Sequence, residues 1–288
     1  MKRLLCALIL ACMTTPALAQ APLASCVSID PPREQQHPGE NRQLLIPSHG
    51  VGMNALLFAV AGPAPKPTVI LMHGLPGNER NLDLAQAIRR CGWNVLAFTY
   101  RGAWGSPGDF SIANAIEDTA AALAFARSAE GAKLGIDPRH VVLAGHSMGG
   151  ATAALTAASS EGLDGLILLD AWDIAASSRS GSRAQLISGM NDFGNSLHGA
   201  TPDSVSDEVI ARGAQWDLVK AAPNLRGIPV LNVGATFGNA AEVRTITAVL
   251  RSSGNSRVTA VDIASDHGFA DHRIALASTV VGWLLALR

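Results

Sequence analysis

A serine and a histidine of this chain stand in settings that suit acyl chemistry. The stretch "VVLAGHSMGGA" places Ser147 in Gly145-His146-Ser147-Met148-Gly149. This is a G-x-S-x-G pattern between an apolar run that reads as a strand and a small-residue run that reads as a helix. Such a turn admits only glycine on either side and pushes the serine hydroxyl clear of the backbone. The Met148 amide, at the start of the helix, then faces negative charge developing on an attacked carbonyl. Downstream, "ASDHGFADHRIAL" holds His267 among small and turn-forming residues, where a general base can reach the serine oxygen from a loop. His272 competes, but it is expected inside the last helix. Its spacing from His267 does not set two rings on one helix face, so no metal pair is expected. In "ILMHGLPGNERN" a strand ends at His73-Gly74. The Leu75 amide is the expected second oxyanion donor, and His73 the expected brace of that loop. His37, His49, His140 and His198 sit in no motif.

Together these stretches resemble the α/β-hydrolase fold serine hydrolases over roughly residues 68 to 285. "YRGAWGSPGDF" is similar to the Arg-Gly-x-x-Gly-x-Ser loop of many esterases and peptidase-like members. "SDHGFADHR" looks like the histidine loop of the small esterase and acyl-peptidase branch. The resemblance implies a Ser-acid-His order along the chain, an acyl-enzyme intermediate, and neither cofactor nor metal. The chain departs from the family pattern at the acid. The loop after "PVLNV" offers Ala235, Thr236, Phe237, Gly238 and Asn239, with no acid before Glu242. Some family members place the acid one strand earlier, and there Asp170 ends "GLILLD". A carboxylate at the edge of a buried sheet needs a partner, because an unpaired buried charge is costly. Asp170 is therefore the expected acid. Asp173, Glu242 and the absence of any acid stay open, with Glu242 otherwise read as a solvent-facing helix charge. Asp266 is expected to brace the histidine loop.

The elements that position these groups alternate. Apolar strands at 68–72, 94–100, 140–144, 165–169, 229–233 and 257–263 are separated by helices at 81–91, 111–130, 148–159 and 239–253, and a helix at 268–287 closes the chain. Continuously apolar strands alternating with helices give the α/β class: a mostly parallel central sheet with helices on both faces. Its ligands bind at the carboxyl ends of the strands. Residues 20–67 read as a Pro-rich arm and an antiparallel hairpin before the core at 68–288. About 171–228 interrupts the alternation, with two weaker helical patterns around "RAQLISGM" and "SDEVIARGAQWDLV". This insertion is expected to form a helical lid, with Trp172, Met190, Phe193 and Trp216 as candidate walls of an apolar acyl pocket.

Hydrophobic residues make up 48% of the 288, charged residues 16%, and the formal net charge is −1. The composition allows a large core, and it has neither the basic footprint of a nucleic-acid binder nor a charged interaction tail. Residues 1–19 carry Lys2 and Arg3, then an apolar run, then Ala17-Leu18-Ala19. This pattern reads as a signal peptide cleaved near Ala19, for export to a periplasm or beyond the cell. Cys26 and Cys91 then form an even pair in an oxidising compartment, where a disulfide and two unpaired thiols both stay open. The apolar run of 14 residues near the end is too short to span a bilayer, which takes about 20. The expected activity is hydrolysis of small-molecule esters or related acyl compounds. A serine peptidase and a non-catalytic binding protein are the alternatives.

Overall fold

The structure is a computed structural model and describes residues 24–190 and 193–287. The expected signal peptide lies outside the described residues. Eight strands form one sheet: β1 (Glu40–Ser48), β2 (Val51–Ala59), β3 (Lys66–Met72), β4 (Asn94–Phe98), β5 (Ile136–His146), β6 (Gly165–Leu169), β7 (Val230–Phe237) and β8 (Val258–Asp266). Their order across the sheet is β1-β2-β4-β3-β5-β6-β7-β8. The hairpin pairs antiparallel with itself and with β4, and every later pair is parallel.

Both faces are covered, which is why β4 and β6 are buried at every position. Helices α1 (Ser25–Ser28), α2 (Leu82–Arg90) and α11 (Arg273–Ala286) cover one face. Helices α3 (Ile112–Ala126), α5 (Met148–Ala158) and α10 (Ala240–Ser252) cover the other, together with the insertion. Cys26 and Cys91 are joined in a disulfide that ties α1 to the end of α2. Among the described residues, no helix is long and apolar enough to cross a membrane.

Several boundaries differ from expectation for local reasons. The helix expected at 111–130 stops after Ala126 and restarts as α4 (Ala129–Lys133), because the Ser128 hydroxyl caps a new first turn by accepting from the Gly131 amide. The last helix begins at Arg273 rather than 268. Residues 266–270 form a closed turn in which the Asp266 carboxylate accepts from the Ala270 amide and Phe269 is left-handed at φ 55°. His272 is therefore the residue before the helix, not one within it. Strand β7 runs to Phe237, which pairs with Asp266, so the expected loop at 234–239 is strand for most of its length. The insertion holds four helices rather than two: α6 (Ile174–Ser180), α7 (Arg183–Gly189), α8 (Pro202–Arg212) and α9 (Leu218–Ala221). Side chains of Asp173, Ser182, Thr201 and Asp217 cap their amino ends.

Candidate active site

Four connections converge at the carboxyl ends of β3, β5, β6 and β8. Ser147 sits between β5 and α5 at φ 55° and ψ −119°, a conformation that costs a non-glycine residue free energy and persists only where the surroundings impose it. The imposition is steric. A methyl group at Gly145 would lie 2.0 Å from the Gly149 carbonyl oxygen, and one at Gly149 would lie 2.6 Å from the carbonyl oxygens of Met72 and His73. The elbow thus packs directly on the end of β3. The loop leaving β3 passes close by: a methyl group at Gly74 would stand 2.9 Å from Ser147 Cβ. Among the described residues, the amides of Leu75 and Met148 donate to no protein acceptor. Two free amides flanking one serine are the arrangement an oxyanion needs.

Asp170 follows β6 at φ 45° with its side chain fully buried. One oxygen, Oδ1, accepts from the Ala235 amide at 2.8 Å. The other, Oδ2, accepts from the Asn239 amide at 2.8 Å and lies 2.6 Å from His267 Nδ1. The Asn239 side-chain amide also donates to the Asp170 carbonyl. Ionised, the carboxylate is an acceptor for all three N–H groups, so His267 donates from Nδ1 and keeps Nε2 as its basic nitrogen.

The imidazole of His267 is held from behind by the residue before the serine. His146 is buried, its Nε2 donates to the His267 carbonyl at 2.8 Å, and the two ring centroids lie 4.6 Å apart. Burial, and then the charge of His267, push the His146 pKa down to about 4, so this ring is neutral at ordinary pH. His73 is buried too, and its pKa is likewise driven to about 4 by burial. Its Nδ1 donates to the Gly74 carbonyl at 2.7 Å and its ring packs edge-on against Tyr100. It braces the loop, as its place at the end of β3 suggests.

The fold around these groups has many solved counterparts. A carboxylesterase from a metagenomic library, EstE1, superposes with a TM-score of 0.62 at 22% identity, covering 86% of this chain and 90% of its own. Est1E from Butyrivibrio proteoclasticus, solved with ferulic acid bound, gives 0.67 at 18% identity, covering 85% and 98%. A Pyrobaculum calidifontis esterase gives 0.65 at 19%, covering 88% of each chain. The chain has the α/β-hydrolase fold. The family model for serine aminopeptidases, S33, matches residues 63–179, which include the elbow. The quorum-quenching protein AidA of Acinetobacter baumannii (strain MDR-ZJ06) is 34% identical over 126 residues. That match covers 42% of this chain and 40% of the relative.

Within this fold the other candidate acids are occupied elsewhere. Asp173 caps α6, its carboxylate accepting from the Ala176 amide at 2.9 Å. Glu242 does not face solvent as expected: it is partly buried in the first turn of α10 and accepts from the Asp173 amide at 2.9 Å. Burial, and then the neighbouring carboxylates of Asp173 and Asp170, raise its pKa. His272 pairs with Asp271 at 2.9 Å.

Of the candidate pocket walls, Trp172 lies beside the nucleophile, its backbone amide donating to the Ser147 carbonyl at 3.1 Å. Its indole donates to the Ser177 hydroxyl. Trp216 is buried in the core, with the Arg212 guanidinium over its ring, and packs the insertion onto the sheet. Phe193 is buried in the same core, and Met190 packs against it. The residues that sequence reasoning missed are Gly238 and Asn239, which serve Asp170, and His146, which holds His267. No local motif marks them, since each acts on a partner far along the chain.

Proposed function

We propose that this protein of α/β-hydrolase fold is an esterase working through Ser147, His267 and Asp170. The observation that carries the reading is the Asp170–His267 hydrogen bond of 2.6 Å, made by a carboxylate that two backbone amides, of Ala235 and Asn239, also orient. His267 Nε2 takes the Ser147 proton as Oγ attacks the ester carbonyl. The Leu75 and Met148 amides receive the oxyanion, and Asp170 compensates the imidazolium. The alcohol leaves with the proton from His267, and water, deprotonated by the same nitrogen, releases the acid. Helices α6–α9 act as a lid over this site, with Trp172 bordering the acyl group.

The test is direct. A fluorophosphonate probe is expected to label the wild type and not Ser147→Ala, and a short-chain p-nitrophenyl ester to be hydrolysed by the former alone. Asp170→Asn should lose up to about 10⁴-fold in kcat, as amide substitution does in the serine protease template. Glu242→Gln should keep most activity. Folded wild type that neither labels nor turns over would overturn the reading, and loss confined to Glu242→Gln would move the acid.

Two second readings have specific support. The serine aminopeptidase model matches the elbow region, so an aminoacyl amide belongs beside the esters. The relative named as quorum-quenching makes breakdown of a signalling molecule a compatible role. The protein is also proposed to be exported after cleavage near Ala19, a reading supported by the Cys26–Cys91 disulfide. Mass spectrometry of the secreted or periplasmic chain should find Gln20 first and no free thiol, whereas an intact amino terminus would reject export.

A further inference from the structure

A cavity of about 550 Å³ opens on the sheet away from the catalytic groups. Its floor follows from strand register. Leu45 pairs with Asn54, Leu56 pairs with Ala97, and Ala97 pairs with Leu71. Directly paired residues share a face and residues two apart along a strand return to it, so Leu45, Asn54, Leu56, Ala97 and Leu71 all point one way. This is the face that α2 covers further along, and Leu71 and Ala97 belong to the apolar cluster beneath that helix. Toward the carboxyl ends of β3 and β4 the floor passes from buried Leu71 and Ala97 to the edge of the sheet. Leu45 is 61% exposed there. Arg80, Leu82 and Trp104 wall the opening, and His73 closes its inner end.

One charged group in these walls is without a counter-ion. Arg80 stacks over Trp104, with Cζ 4.9 Å from the ring centroid, and makes no ion pair among the described residues. Trp104 is itself fixed by its indole N–H, which donates to the Pro76 carbonyl at 2.8 Å. A guanidinium on an anchored aromatic face is pre-positioned for an anion. His73 is 2% exposed, and its Nε2 has no hydrogen-bond partner. That atom is buried with no room beside it for a ligand group, so His73 serves the cavity only as a packed wall.

We propose that this cavity binds a small amphipathic carboxylic acid: its apolar body lies against Leu45, Leu56 and Ala97, and its carboxylate meets Arg80. The volume fits, since small-molecule sites run to about 300–1,000 Å³ and are mainly apolar with a few placed polar groups. Ser147, Asp170 and His267 are not among its walls. The site adjoins catalysis only through the His73-Gly74 loop, so occupancy would stiffen the segment that presents the Leu75 amide. The inference does not depend on hydrolysis.

Calorimetric titration of the folded Ser147→Ala protein tests it, because turnover then plays no part. Octanoate is expected to bind at millimolar concentrations or below, and octanol about tenfold more weakly, a charge-assisted contact being lost. Arg80→Gln should weaken octanoate about tenfold while leaving octanol unchanged. Leu45→Asp, a substitution at an exposed position, should weaken both. Absence of binding overturns the proposal. So does octanoate affinity that survives both substitutions, which would put the acid in the acyl pocket instead.

Discussion

Gly238 stands where any side chain would collide with the acid–base pair. A methyl group there would lie 2.3 Å from Asp170 Oδ2 and 3.0 Å from His267 Cα. Neither neighbour can yield cheaply: the carboxylate is fixed by the Ala235 and Asn239 amides, and the other atom is backbone. Family members usually carry the acid in this segment. Under the proposed triad this segment instead supplies the amides and the empty space that an acid on the neighbouring strand requires. Gly238→Ala is therefore expected to misplace Asp170 or His267, and a displacement of about 1 Å costs on the order of 10²-fold in rate. The measurement is kcat on a p-nitrophenyl ester, with the circular dichroism spectrum unchanged. Gly227→Ala, where an added methyl group would meet nothing within 4 Å, is the matched control. If Gly238→Ala retained wild-type turnover, the geometry at Asp170 would not be what orients His267.

Among the elements, the alternating strands and helices of the core were legible because buried parallel strands are continuously apolar and a G-x-S-x-G between strand and helix has few other uses. Ser147, the histidine loop and the placement of Asp170 at the end of β6 followed from that frame. The partners of Asp170 were not legible, since Ala235 and Asn239 act through backbone amides, which every residue type carries. Glu242 was misread for a related reason: helical periodicity does not reveal that the first turn of α10 faces the Asp173 amide. The insertion was the hardest part. Its helices are short and set by caps, and α8 is anchored from outside itself. The Glu208 carboxylate accepts from the Ile112 and Ala113 amides at the start of α3, at 2.8 and 3.0 Å, satisfying donors that a helix end leaves open. A carboxylate there also complements the helix dipole. That contact spans 96 positions of sequence, beyond the reach of any local pattern.

Across the whole molecule, two buried histidines, His73 after β3 and His146 at the end of β5, link folding to pH. Each has its pKa lowered to about 4 in the folded chain, against about 6.5 when unfolded, with burial as the main cause. The unfolded chain therefore binds more protons between those values, and stability rises with pH across that interval. It is fully present above about pH 6.5 and is lost as pH falls toward 4, at up to about 1.4 kcal/mol per pH unit for each histidine. Carboxylates with lowered pKa, such as Asp137 beside Arg139, add their own loss at more acidic pH as they protonate. Denaturant titrations from pH 7 to pH 5 should show this decline. His146→Gln keeps a donor for the His267 carbonyl but removes one titrating ring. Its stability profile should be shallower by close to one proton in that range, whatever its stability at pH 7. Parallel profiles for wild type and His146→Gln would mean that His146 protonates equally in the folded and unfolded chains, and its burial beneath His267 would then carry no acid-sensitive strain.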